Sequence, residues 1–311
     1  MRVFLTFLLL MFLGDVYAVE YDYRYEYLDS DNKEINSYLL VLPKEKEIKG
    51  VIVRDYSRLP DMKKGSPYKI MDLAMNNGFA YLITDTSVIM PDLYYNDEGP
   101  KILDDLIEHA ISNYGLVSDN IFIGGISASG TRALRFAQYC AEGKSKYGRK
   151  ISGVFSVDSP LDIVRFYVSA TKNKDNFTDG MAWEAEVVPG IFEQELGGSL
   201  MERKDAYHKA SVFTQSADDF GNAKYYLDVP MILFHEPDID WWLSERGAAY
   251  YDINSFDIAA FYIYQILNGN KDATIITTTG KGFDGNGNRK PHSWTIVDED
   301  MLMDWMLERV E

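Results

Sequence analysis

The sequence predicts an α/β architecture: a single domain on a mostly parallel eight-stranded sheet, with helices on both faces and one cap-like insertion. Three observations carry that expectation. Short runs rich in valine, isoleucine and leucine alternate along the chain with longer stretches of helical periodicity, the rhythm of strand–helix–strand units. The inner strand centres, "VIV" at 51–53, "YLIT" at 81–84, "IFI" at 121–123 and "MILF" at 231–234, are uninterrupted apolar runs, as strands buried on both faces are. A chain of 311 residues, 46% of them hydrophobic, is enough for one large domain or two small ones.

The first residues, Met1-Arg2, the apolar run "VFLTFLLLMFLG" and then Val16-x-Ala18, have the form of a secretory signal peptide over residues 1–18, cleaved after Ala18. The run is too short to span a bilayer comfortably, so a secreted or periplasmic protein without stable membrane insertion is expected. The sequence has 1 cysteine, Cys140, so no intramolecular disulfide can form, which suits a bacterial periplasm or the space outside.

The domain then occupies 19–311. Tyr21, Tyr23, Tyr25 and Tyr27 alternate with charged residues, which predicts a strand with one buried face. "SYLLVLP" (37–43) and "GVIVRDYS" (50–57) are the second and third strands. Ser66 as N-cap and Pro67 at the first helical position open a helix that Asn77-Gly78 closes. "FAYLITDTS" (79–87) is the fourth strand. A helix from Pro100 to Tyr114 puts Ile102, Leu103, Leu106, Ile107, Ala110 and Ile111 on one face. "NIFIGGIS" (120–127) is the fifth strand, followed by a helix from Ala128 to Cys140. The sixth, seventh and eighth strands are "ISGVFSVDS" (151–159), "VPMILFHE" (229–236) and "ATIITTTG" (273–280), with helices around 254–268 and 297–310. Residues 161–228 break the rhythm: polar, aromatic and irregular, with one helical piece near 192–209. They read as an insertion over the C-terminal edge of the sheet.

The net charge of −17 argues against nucleic acid or anionic lipid as a partner. No nucleotide-binding glycine-rich motif is present, and "DGNGN" (284–288) begins like a calcium loop but has Arg289 where glycine is required. Asp238-x-Asp240 has no supporting carboxylate or histidine cluster, so neither a metal nor a cofactor is expected.

The chemistry concentrates in "NIFIGGISASGTRAL" (120–134), where small residues crowd round a serine between a strand and a helix. A serine hydroxyl is a weak nucleophile that must be exposed, held and paired with a base. A sharp strand-to-helix turn exposes it, provided the residues two before and two after are small; around Ser127 these are Gly125 and Ser129. A register centred on Ser129 would place β-branched Thr131 at one of those positions.

Here the chain resembles the α/β-hydrolase superfamily, whose nucleophile elbow reads G-x-S-x-G. The match is Gly125-Ile126-Ser127-Ala128-Ser129, with serine in place of the last glycine, on the fifth of eight strands. The resemblance extends from about residue 22 to 311, is weakest in the insertion, and within the superfamily is nearest in tone to secreted serine esterases and the prolyl-oligopeptidase-like group. It implies a triad in the chain order serine, acid, histidine. Of the 4 histidines, His109 precedes Ser127, His208 lies in the insertion, His235 sits in an apolar strand, and His292 falls between the last strand and the last helix, where the family's base is found. The acid is expected just past the seventh strand, in "FHEPDIDWW": Asp238, with Asp240 as the alternative. The resemblance further implies an oxyanion hole from the Ala128 amide and an amide near Tyr56 or Ser57, since "VRDYSRLP" lacks the His-Gly that many members carry there.

Trp241, Trp242 and Trp294 lie within four residues of these groups and are candidates to stack against a sugar or aromatic ring. The expectation is an exported carboxylesterase acting on small-molecule or carbohydrate esters, acetyl or feruloyl. A prolyl-oligopeptidase-like peptidase and a non-catalytic binding protein on the same scaffold are the alternatives.

Overall fold

Successive residues of each inner strand point to opposite faces of the sheet, and each face gathers its own core. The computed structural model describes residues 21–29, 35–44, 46–64 and 68–310; the expected signal peptide and Ser66-Pro67 lie outside these, and the helix expected from Pro67 begins at Lys69, with extended Tyr68 as its N-cap. The strands are β1 (Asp22–Tyr27), β2 (Ser37–Leu42), β3 (Gly50–Tyr56), β4 (Phe79–Asp85), β5 (Ile121–Ile126), β6 (Gly153–Val157), β7 (Met231–His235) and β8 (Ala273–Thr277). Their order in the sheet is β1-β2-β4-β3-β5-β6-β7-β8. The β1–β2 and β2–β4 pairs are antiparallel and all later pairs are parallel.

Leu40, Val53, Leu82, Ile123 and Leu233 face α2 (Glu98–Tyr114), α3 (Ala128–Ala141) and α8 (Asn254–Leu267). Leu39, Ile52, Ile83, Phe122 and Phe234 face α1 (Lys69–Asn77) and α9 (Glu299–Leu307). Each alternate set is buried, so these strands read as unbroken apolar runs. On edge strand β1 one face suffices: Tyr23 and Tyr25 pack on the second core, while Arg24 is exposed. Gly78, at φ 80°, ends α1 in the left-handed conformation that glycine adopts without a Cβ penalty.

Residues 161–228 are more helical than their sequence suggests. They form α4 (Ile163–Asn173), α5 (Asp179–Leu196) and α6 (Lys204–Ala210). The Asp162 carboxylate caps α4 by accepting the Arg165 amide at 3.1 Å. Helix α5 contains Gly180, Pro189 and Gly190, poor helix residues by propensity, and packing against α4 overrides them. A further short helix, α7 (Ile239–Arg246), follows β7. Among the described residues, no helix is long and apolar enough to cross a membrane.

Candidate active site

Ser127 ends β5 and opens α3 with φ 56° and ψ −131°, a strained conformation for a residue with a side chain. The surroundings over-determine it. Its amide donates to the Val157 carbonyl at 2.9 Å, and its carbonyl accepts from Gly130 and Thr131 at 3.0 and 3.1 Å. A Cβ at Gly125 would lie 2.1 Å from Ser129 Oγ, and one at Gly130 would lie 2.1 Å from Ser159 Oγ. The small residues are therefore required by contact, and the serine standing for the last glycine of the elbow has an occupation of its own. Ser129 is buried and donates its hydroxyl to the Asp55 carbonyl at 2.5 Å. That bond ties the helix after the elbow to the end of β3. The Asp55 carboxylate accepts from Thr84 (2.7 Å), Thr86 (2.8 Å) and Tyr94 (2.7 Å) and lies 3.1 Å from Arg132 of α3.

His292 lies in the loop between β8 and α9. Its Nδ1 is 2.6 Å from Oδ2 of Asp158, the residue immediately after β6. Asp158 is 3% exposed, at φ 43°, its amide held by the Phe234 carbonyl at 2.8 Å and its carbonyl by Asn254 Nδ2 at 2.9 Å. The carboxylate fixes the neutral imidazole with its proton on Nδ1, which leaves Nε2 as an acceptor. Burial disfavours the imidazolium, but the hydrogen bond and charge of Asp158, with the charge of Glu184, outweigh it and raise the His292 pKa.

The carboxylates expected after β7 do not meet the His292 ring. Asp238 caps α7, accepting the Trp241 amide at 3.2 Å, and its other oxygen meets Arg289 at 2.7 Å. Asp240 is exposed on the first turn of α7. Glu236 is buried and takes the amides of Lys281 and Gly282, the Thr278 hydroxyl and Arg289. Asp238 thus caps the helix and Glu236 organises the loop leading to His292, Asp240 lies at the surface, and the histidine's partner comes from the end of the neighbouring strand. The sequence signal for Asp158 was an aspartate at a strand end followed by Ser159-Pro160; aspartate enters the left-handed region more readily than most residues. The apolar run "ISGVFSVDS" reads as strand through 159, whereas β6 ends at Val157 and leaves Asp158 in the turn.

Ser127, Ala128, Tyr56, Ser57 and His292 line one cavity of about 780 Å³, roofed by residues of α4, α5 and α7. Trp241 and Trp242 line it too, edge to face with centroids 5.1 Å apart. Trp294 does not: it packs against Phe155, stacks on the buried guanidinium of Arg54 at 4.0 Å and donates to Glu299 at 2.8 Å, a core role. Trp183 and Glu184 of α5 line the cavity without having been singled out from the sequence, because the helix carrying them was not legible there. The other histidines are elsewhere: His235 Nε2 meets Thr277 Oγ1 at 2.7 Å within the sheet, His109 Nδ1 meets the Tyr38 hydroxyl at 2.8 Å, and His208 lies on α6. Among the described residues no group of three or more histidine, cysteine, aspartate or glutamate side chains is placed to hold a metal ion.

No family model matches the chain, and no curated protein matches its sequence. Solved structures do match its fold. An acylaminoacyl peptidase from Pyrococcus horikoshii superposes with a TM-score of 0.58 at 14% identity, over 93% of this chain and 42% of that one; this chain thus spans less than half of the peptidase. A structure from a study of two fungal esterases of Rhizomucor miehei matches with a TM-score of 0.58 at 14% identity, over 94% of this chain and 84% of that one. A truncated carbohydrate esterase from gut microbiota matches with a TM-score of 0.53 at 16% identity, over 88% of this chain and 90% of that one. The protein has the α/β-hydrolase fold: one mostly parallel eight-stranded sheet with helices on both faces.

Proposed function

We propose that the protein is an exported serine hydrolase that cleaves carboxylic esters through an acyl-enzyme, with Ser127 as nucleophile, His292 as base and Asp158 as its orienting acid. The observation that carries this reading is the strained Ser127 in one cavity with a histidine whose far nitrogen is bonded to a buried carboxylate. In the first half-reaction Ser127 Oγ attacks the ester carbonyl carbon while its proton passes to His292 Nε2. The oxyanion is received by the Ala128 amide at the start of α3 and by an amide at the end of β3 near Tyr56. His292 then gives its proton to the leaving alcohol, and the acyl group stays on Ser127. Water, deprotonated by the same nitrogen, hydrolyses it.

Ester rather than peptide cleavage is supported by coverage: the esterases match along most of their length, the peptidase along 42% of its own. Trp241 and Trp242 on the cavity wall suit esters on glycans, with acetyl or hydroxycinnamoyl acyl groups. Residues 1–18 support export. A fluorophosphonate probe with peptide mapping tests the core of the proposal: the label falls on Ser127 and is lost in Ser127→Ala. Absence of label would favour a non-catalytic binding protein. A panel of acetyl-xylan, a feruloylated sugar, a long-chain triglyceride and a prolyl peptide tests the substrate class, and preference for either of the last two would end the glycan reading.

A further inference from the structure

Glu184 is a carboxyl that the triad does not use. It lies on α5 and lines the cavity with Ser127 and His292. The other lining carboxylates are committed to the fold. Asp92 accepts the Tyr94 amide at 2.7 Å, and Asp252 accepts Ser169 and Asn173, each at 2.7 Å. Glu184 makes no hydrogen bond or ion pair with any described residue, although burial raises its pKa by desolvation. With no protein partner, this half-buried carboxyl is free to accept a hydrogen bond from a hydroxyl group of a ligand in the cavity.

Its place in the cavity says which part of a substrate it meets. His292 must hand its proton to the leaving alcohol, so the alcohol occupies the space beside that ring. Glu184 is close enough for its charge to act on both His292 and Asp158. We infer that Glu184 is a specificity-determining residue for the alcohol half of the ester and accepts hydrogen bonds from further hydroxyl groups on it, so that the leaving group is a polyol such as a sugar ring. Exposed Trp183, the adjacent residue, also lines the cavity and offers that ring an apolar face. A cationic alcohol fits less well: 3 acidic and 4 basic residues line the cavity, so its field does not select a cation. This rests on the ester-hydrolase reading and adds the residue that recognises the leaving group.

The test compares the wild type, Glu184→Ala and Glu184→Gln on three acetyl esters: an acetylated xyloside, phenyl acetate and acetylcholine. The expected result is a fall of about tenfold or more in the ratio of kcat/KM for the xyloside to that for phenyl acetate in Glu184→Ala. Partial recovery is expected in Glu184→Gln, whose amide still accepts a hydrogen bond. Equal losses on xyloside and phenyl acetate would reduce Glu184 to an electrostatic neighbour of His292 and overturn the inference, as would a wild-type preference for acetylcholine. A binding arm is independent of turnover: calorimetry of the acetylated xyloside with Ser127→Ala, and with Ser127→Ala carrying Glu184→Ala. Weaker binding in the double variant supports the inference and equal binding overturns it. If the wild type hydrolyses none of the three esters while the xyloside still binds through Glu184, the esterase reading fails and the sugar-binding assignment stands.

Discussion

His292 Nδ1 and Asp158 Oδ2 lie 2.6 Å apart, joining the loop after β8 to the end of β6 across the tip of β7. Asp158 therefore stands next to the strand that ends at Ser127, since β5 and β6 pair directly.

Replacing Asp158 removes the partner that fixes the imidazole tautomer. Asp158→Asn is expected to lower kcat by about 10⁴-fold, whereas Asp238→Ala removes a helix cap and costs about 1 kcal/mol of stability with little effect on turnover. Steady-state kinetics and thermal melts of the two variants check this; the reverse pattern would return the role to Asp238.

The proposed reaction requires His292 neutral at Nε2, and its pKa is raised above the ordinary 6.5 by Asp158 and Glu184 against the opposing effect of burial. The acid limb of the kcat/KM profile is therefore expected above pH 6.5, with activity rising as the ring deprotonates. The stability linkage runs the other way. The imidazolium–carboxylate pair contributes fully below the unfolded-state pKa, and the contribution is lost as pH rises through the raised folded value. A limb below the ordinary histidine value would contradict the pairing.

Gly125→Ala is expected to cost several-fold to a hundredfold in turnover or at least about 1 kcal/mol in stability, because its Cβ would meet Ser129 Oγ at 2.1 Å. The double variant Gly125→Ala/Ser129→Gly removes the obstructing side chain. A double-mutant cycle should show positive coupling despite the helix cost of the new glycine, and additivity would refute the contact.

Cys140 is partly covered on α3, and burial pushes its pKa up to about 12. Its thiol is expected to resist a thiol-specific reagent at pH 8 in the native protein and to react promptly in denaturant. Fast native labelling would show that α3 opens.

Much of this was written in the chain. The two cores follow from period-two burial of apolar strands, and the elbow follows from Gly125 and Gly130, each of which leaves no room for a Cβ. The carboxylate partner of His292 was not legible, because Asp158 and Asp238 both follow apolar strands and only the three-dimensional path of the 278–292 loop decides which one the ring meets. Helix α5 was hidden for a different reason. One side packs on α4 and another lines the cavity, so its apolar residues follow no single stripe, and Pro189 reads as a breaker.

Arg289 binds Glu236 and Asp238 at once, three residues before His292. Asp238 in turn begins the helix whose indoles form a wall of the cavity. The wall and the His292 ring are thereby yoked by one guanidinium. A bulky guest that wedges α7 outward draws on the same tether that positions the base, so the tolerance of the cleft for size and the alignment of its proton acceptor are a single mechanical property.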